Sequence, residues 1–425
     1  MRDGAAALDY YRATSQAHHY SPLQDAQEAA VCIIGGGFAG LSTALALAER
    51  GVTDIVLLEA QQVGHGASGR NGGFVFGGFS LGERALLDTV GVEQGRKLYH
   101  MTLGAVERIR TRIHQYDIAC DLKEEGVYLA NWFDDDRILE RQQRFMHEQL
   151  GVQWQRVSRA DLRARLHSER YFGALFEPDA FHFHPLKYAQ GLARALAGMG
   201  VRIHEASKVT QLAVDGHGWR IACAGGEVRA REVVLCCGGY IEKLYPRLGG
   251  AALPIATYVM VTEPLGERLA RAIDSGAAVY DTRFAFDYYR PLADTRLLWG
   301  GRISIRERSS DKVARLLYGD MLKVYPQLAG TKVDYAWSGK MSYARHKMPQ
   351  LGRLPEGIWY GMGFGGHGVA PTTLAGEVLA AAITGKGADL ALFSSWGLPS
   401  NGGSAGLLAA QMAYWYYEFR DWSRQ

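Results

Sequence analysis

Residues 31–34, VCII, are four consecutive apolar positions, the pattern of a parallel strand buried on both faces. A glycine cluster follows, then small and apolar residues at helical spacing through Ala48. A second apolar run, 55–58, ends on Glu59. This order predicts a strand–turn–helix–strand unit. Residues 81–117 and 133–168 are charged and periodic, predicting helices, with a short strand over 126–130 between them. FEPDAFHFHP, 176–185, predicts a loop leading into a helix over 186–199. The pattern then turns β-rich, at 201–204, 208–214, 219–224 and 232–236. Aromatic and polar residues alternate over 255–262, 277–304 and 333–337, with a helix near 311–324. Such alternation belongs to an antiparallel sheet with one covered face. Strand, glycine loop and helix recur over 357–386. An aromatic helix, 407–422, closes the pattern and is expected to pack on the protein's own surface.

These elements predict an α/β protein, α+β overall, in which a Rossmann-like dinucleotide-binding domain is interrupted by an antiparallel-sheet substrate domain. The expected division is an N-terminal arm over 1–28, a discontinuous nucleotide-binding domain over 29–80, 151–250 and 338–390, a substrate domain over 81–150 and 251–337, and a C-terminal helix within 391–425. Ligands in such proteins usually sit between the domains.

Charge narrows the partners. A net charge of +3, with Lys and Arg scattered among Asp and Glu, offers no nucleic-acid stripe and no polybasic membrane patch. No run reaches the ~18 apolar residues of a membrane span. The start of the chain has no signal-peptide pattern. The five cysteines include no C-x-x-C, and three fall in apolar strands. That usage predicts reduced thiols and a cytoplasmic location. Oligomeric state is left open.

Gly35, Gly37 and Gly40 form G-x-G-x-x-G, and Glu59 lies nineteen residues after the last of them. The glycines suit a tight turn, a close approach to pyrophosphate and close helix–strand packing, while the acid suits a ribose diol. The helix N-terminus adds free N–H groups and a partial positive charge. Gly361, Gly363 and Gly366 repeat the spacing, but Pro371 stands at the helix start and no ribose acid follows about twenty residues later. That loop is read as facing a planar, electron-accepting ring, where a helix N-terminus stabilises developing negative charge. ASGRNGG, 67–73, brings Ser68, Arg70 and Asn71 among glycines, donors suited to phosphates and carbonyls.

With LDYYRATS, VCIIGGGFAGLS, LLEAQQVGHGASGRNGG and GMGFGGHGVAPTTLAGEVLA, the chain resembles the D-amino-acid-oxidase superfamily of flavoproteins, and within it the gamma-glutamylputrescine oxidase group. The resemblance implies FAD and oxidation of a C–N bond, with O2 returned as hydrogen peroxide. It implies that Gly35, Gly37, Phe38, Gly40, Glu59 and Ala60 meet the ADP half. Ser68, Arg70, Asn71, Gly72 and Gly73 match the loop towards the isoalloxazine, and Val209 the adenine contact. Cys237 and Gly238 stand where relatives show Ala or Thr followed by Gly, and Gly365, Gly366, His367 and Gly368 match the loop at the pyrimidine end.

Ala370 stands where sarcosine-type relatives carry a carboxylate-binding lysine. This departure weighs against an alpha-amino-acid substrate and favours an amine whose reacting end is apolar or cationic, such as a polyamine derivative. No His or Cys stands at the covalent attachment positions of those relatives, so FAD is expected to be non-covalent. Hydride transfer from a neutral amine to flavin N5, then imine hydrolysis, needs positioning more than an obligatory base. Tyr288, Tyr289, Arg290, Lys340 and His346 are the candidates near the reacting centre, with Lys340 favoured for O2 activation. The alternative reading is an FAD-dependent amino-acid dehydrogenase passing electrons to a quinone.

Overall fold

Val31 and Ile33 enter one hydrophobic core, while Cys32 and Ile34 enter another on the opposite face of the same strand. A strand buried on both sides must lie inside a sheet, and it does. The computed structural model describes residues 9–16 and 18–424. Across the first sheet the strands run Gln350–Arg353, Trp359–Met362, Gly226–Leu235, Asp25–Ile34, Ile55–Leu58 and Arg202–His204. Neighbours are parallel except for the Gln350–Arg353 edge. A hairpin, Val209–Asp215 and Gly218–Cys223, is added antiparallel to Gly226–Leu235.

The helices Phe38–Ala48, Val92–Gln115, Pro185–Gly198 and Val369–Ile383 cover one face of this sheet. Arg112, fully buried, pins three of these elements together. It donates to Glu49 Oε2 at 2.6 Å, just past the first helix, and to Glu377 Oε1 at 2.7 Å on the last.

The second sheet runs Val333–Ala344, Ala252–Thr262, Leu297–Ser304, Asp287–Pro291, Ala278–Asp281, Val127–Ala130, Ala174–Glu177 and Gln155–Val157. All pairs are antiparallel except Ala278–Asp281 with Val127–Ala130. One face packs Tyr258, Met260, Tyr289 and Trp299 against the Ser310–Val324 helix. The other face carries Val259, Val261, Leu298 and Trp337, which bury Tyr10 and Tyr11 of the arm.

The mixed α/β architecture with two sheets agrees with the expected fold class, but several boundaries move. The first strand begins at Asp25, so residues 25–28 leave the arm and pair with the strand starting at Gly226. Their mostly exposed, polar side chains hide a strand that periodicity could not reveal. The helix Val92–Gln115, placed with the substrate domain by the 81–150 division, puts Leu98, Val106, Ile109 and Ile113 into the core beneath the first sheet. Conversely, Ala174–Glu177 and Gln155–Val157, inside the 151–250 segment, join the second sheet. The Val333–Ala344 strand also runs through the 337/338 boundary. Within 133–168, left-handed Gly151 ends one helix, and an unforeseen strand precedes the next.

Replacing Arg112 by Met leaves Glu49 and Glu377 without their shared cation. Burying unpaired charge costs several kcal/mol, reduced here because both carboxylates keep some solvent and Glu377 retains Arg50 at 2.8 Å. A loss of about 3 kcal/mol is expected by denaturant titration, without change in secondary structure.

Candidate active site

The turn after the first strand is built by close approach. Gly35 has φ of 113°, and a Cβ there would lie 2.6 Å from the carbonyl oxygen of Cys236. A Cβ on Gly40 would overlap the carbonyl oxygen of Gly35, so helix and strand reach this spacing only with glycine. The turn opens into a cavity of about 1530 Å³ lined by both sheets. Glu59 lines one end with Ala60 and Val209. Its Oε2 accepts from Gly36 N at 2.7 Å and its Oε1 from Gln61 N at 2.8 Å. Burial raises this carboxyl above its ordinary value despite those backbone donors.

The 67–73 loop divides its labour. Ser68 Oγ accepts from Phe38 N at 2.8 Å, closing the start of the helix. Asn71 spends its side chain on the loop itself, donating to Ser68 O at 2.8 Å and accepting from Gly73 N at 2.8 Å. Arg70 faces the cavity, and its Nε is buried without a hydrogen-bond partner. From behind, Tyr11 donates to Asn71 O at 2.8 Å and Trp337 Nε1 to Arg70 O at 3.0 Å. Arg290 Nε donates to Gly72 O at 2.7 Å.

Across the cavity, Gly365, Gly366, His367 and Gly368 form the loop before the Val369–Ile383 helix. Gly365 N donates to Ser342 O at 2.7 Å and His367 N to Ser80 Oγ at 3.1 Å. The His367 ring lies edge-on to Phe76, with centroids 4.2 Å apart. Burial pushes its pKa down to about 4, so the ring is neutral at pH 7, and its Nε2 has no partner. No side chain caps this helix, leaving its first N–H groups open towards the cavity.

Beyond these loops the walls become aromatic: Phe76, Tyr280, Phe286, Tyr288 and Tyr343. Phe76 and Tyr280 stack with centroids 5.5 Å apart. Tyr280 Oη donates to buried Glu177 Oε1 at 2.7 Å, and burial pushes that carboxyl up to about 8. Ala409, Ala410, Ala413, Tyr414 and Tyr417 of the Gly403–Trp422 helix close the remaining side.

A glycine turn at a helix start, an acid at one end, a guanidinium midway whose one carboxylate neighbour, Asp9, stands off at 3.9 Å, and an open helix N-terminus at the far end fit a long, phosphate-linked cofactor with a planar ring. Residues 30–382 match the protein family described as FAD dependent oxidoreductase. The chain belongs to this family. It is 37% identical over 421 residues to gamma-glutamylputrescine oxidoreductase of Escherichia coli, covering 97% of each chain. It is 36% identical over 422 residues to a probable oxidoreductase of Haemophilus influenzae, covering 97% of this chain and 96% of the other. Glycine oxidase from Geobacillus kaustophilus shares the fold, with a TM-score of 0.72 at 22% identity, over 88% of this chain and 99% of that one.

In this FAD-dependent oxidoreductase most of the anticipated cofactor residues face one cavity, Cys237 and Gly238 included. Gly40 and Gly73 do not line it; they set backbone spacing behind it. Three further anticipated residues are placed elsewhere. Tyr289 is fully buried on the far face of the second sheet, stacked on Trp299 with centroids 4.4 Å apart. Alternation along the strand sends Tyr288 to the cavity and Tyr289 away. His346 sits in a turn outside the cavity, its Nδ1 accepting from Met348 N at 3.1 Å. Arg290 is buried behind the 67–73 loop. Lys340 does line the cavity, its Nζ 3.0 Å from Glu307 Oε2. Sequence reasoning missed Phe76, Tyr280 and Glu177. Alternation about buried Val279 could have pointed Tyr280 the right way.

Glu177 makes stability depend on pH. Below its ordinary value of 4.5 both folded and unfolded states hold the proton; between 4.5 and about 8 only the folded state does. Its contribution to stability therefore falls as pH rises through that window. Glu177→Gln keeps an acceptor for Tyr280 but does not titrate. Denaturant midpoints should shift in favour of the variant, relative to the parent, between pH 5 and pH 8.

Proposed function

We propose that this chain is an oxidase of amine C–N bonds, acting on a polyamine derivative such as gamma-glutamylputrescine. The similarity to the Escherichia coli gamma-glutamylputrescine oxidoreductase over nearly the whole of both chains carries this reading. The aromatic cavity walls support it, since they suit an amine and its methylene chain. Ala370, which lines the cavity, stands where sarcosine-type relatives carry a carboxylate-binding lysine, and this weighs against an alpha-amino acid. The proposal includes a cytoplasmic location, in keeping with five free cysteines.

FAD is held non-covalently in this reading. Gly37 and Phe38, at the start of the first helix, would meet the pyrophosphate, Glu59 the ribose and Val209 the adenine. Arg70 adds positive charge midway, and His367 offers one neutral hydrogen-bonding edge. Bound FAD supplies a two-electron acceptor for the amine's alpha C–H bond and returns the electrons to O2 as hydrogen peroxide. Phe76, Tyr280 and Tyr288 position the amine and exclude water. Lys340, oriented by Glu307, supplies fixed positive charge for O2 reduction. The released imine takes up water and gives the aldehyde and ammonia.

Anaerobic mixing of the yellow protein with gamma-glutamylputrescine should bleach the flavin band near 450 nm (roughly, a near-attack amine suffices). Alpha-amino acids should leave it unchanged. On admitting air, peroxide should form in proportion to amine without an artificial acceptor. Turnover that requires the acceptor and yields no peroxide overturns the oxidase reading in favour of a dehydrogenase. Acid precipitation should leave all the flavin in the supernatant; colour in the pellet overturns non-covalent binding.

A further inference from the structure

The Gly403–Trp422 helix is turned inside out. Its buried positions are Gln411, Tyr414 and Asp421. Gln411 Oε1 accepts from Ile305 N at 3.1 Å, and Asp421 Oδ2 from Phe284 N at 2.7 Å. Glu418 pairs with Arg302. The polar face is therefore the one fastened to the body. Leu408, Met412, Trp415, Tyr416, Phe419 and Trp422 are left 53–67% exposed. A surface helix normally buries its apolar stripe and exposes its polar one.

The spacing of the exposed residues says what kind of surface covers them. Leu408, Met412, Trp415, Phe419 and Trp422 are separated by four, three, four and three residues, the a/d rhythm of a helix–helix seam. The seam extends about 21 Å at 1.5 Å per residue. With large side chains of about 150–250 Å² each, more than half exposed, the stripe offers roughly 600 Å². Two such stripes facing one another bury roughly 1,200 Å² in total, the lower end of the range for a specific protein–protein interface.

No charge lies on the seam, so two identical copies can face one another without like-charge repulsion. Lipid is a poorer fit. The helix carries one cation, Arg420, against two anions, Glu418 and Asp421, where membrane-surface helices are rich in Lys and Arg. We propose that the protein forms a two-fold dimer in which this stripe packs against the same stripe of a second copy, with Trp415 at its centre.

Sedimentation equilibrium of the FAD-loaded protein across the micromolar range tests this. The parent should run as a concentration-dependent dimer. W415E/F419E should dissociate at least about 100-fold more readily, as expected for loss of two central aromatic anchors. L408E/M412E, altered at the other end of the seam with no aromatic removed, should do the same. The flavin spectrum and circular dichroism identify any variant that fails to fold. A monomeric parent overturns the proposal, as does a dimer that persists in both folded variants. A monomeric parent that pellets with phosphatidylcholine–phosphatidylglycerol vesicles overturns it in favour of lipid.

Discussion

The buried guanidinium of Arg290 is the constraint that most of the site depends on. It has no carboxylate within ion-pair distance among the described residues. Its charge is satisfied by Gly72 O at 2.7 Å and Phe183 O at 2.9 Å, with Tyr11 Oη at 3.2 Å and His182 Nδ1 at 3.3 Å. A cation in low dielectric needs such a full set of oriented acceptors. One strand of the second sheet thereby fixes the 67–73 loop, the arm and the start of the Pro185–Gly198 helix in a single arrangement. The cost falls on its neighbours. Burial, with Arg290 adding to it, lowers the His182 pKa to about 3, so that ring serves as a neutral hydrogen-bonding group.

Why the arm exists follows from the same arrangement. The 67–73 loop is glycine-rich and has almost no side chains with which to build its own core. Tyr11 supplies the missing mass, fully buried, with its ring 5.4 Å from that of Trp337. Both residues also hold carbonyls of the loop. Arg70 can then keep its Nε out of any hydrogen bond, with only Asp9 Oδ2 3.9 Å away, because the backbone is held from behind.

The first βαβ unit was legible in the sequence because most of its constraints are local, the approach of Gly35 to the Cys236 carbonyl being the exception. Gly35, Gly40 and Glu59 interact within one short stretch, and a strand covered on both faces leaves an unmistakable apolar run. The second sheet was less legible. There a one-residue difference decides which face a side chain occupies, so DYYRP named two adjacent tyrosines without saying which one meets the cavity. Arg290 was misread for a related reason: a buried cation held by carbonyls has no acidic partner in the sequence to betray it. The pairing of Glu177 with Tyr280 spans a long separation along the chain, so no local pattern carries it.

The electrostatics of the substrate side converge on one condition. Glu177 is neutral below about pH 8 and His367 is neutral above about pH 4, both through burial. Among the cations lining the cavity, Lys340, Arg302 and Arg283 are paired with Glu307, Asp320 and Asp281, and none of them attracts an ammonium ion. Between pH 4 and 8, therefore, neither group carries a charge that would hold an ammonium ion in the aromatic part of the cavity. Cation–π attraction alone is worth only about 0.5–2 kcal/mol, too little to offset desolvating a full charge. On the proposed function, an amine settles there as the neutral base, the form whose lone pair assists loss of hydride from the adjacent carbon. The neutral Glu177 behind Tyr280 adds no anion to that preference.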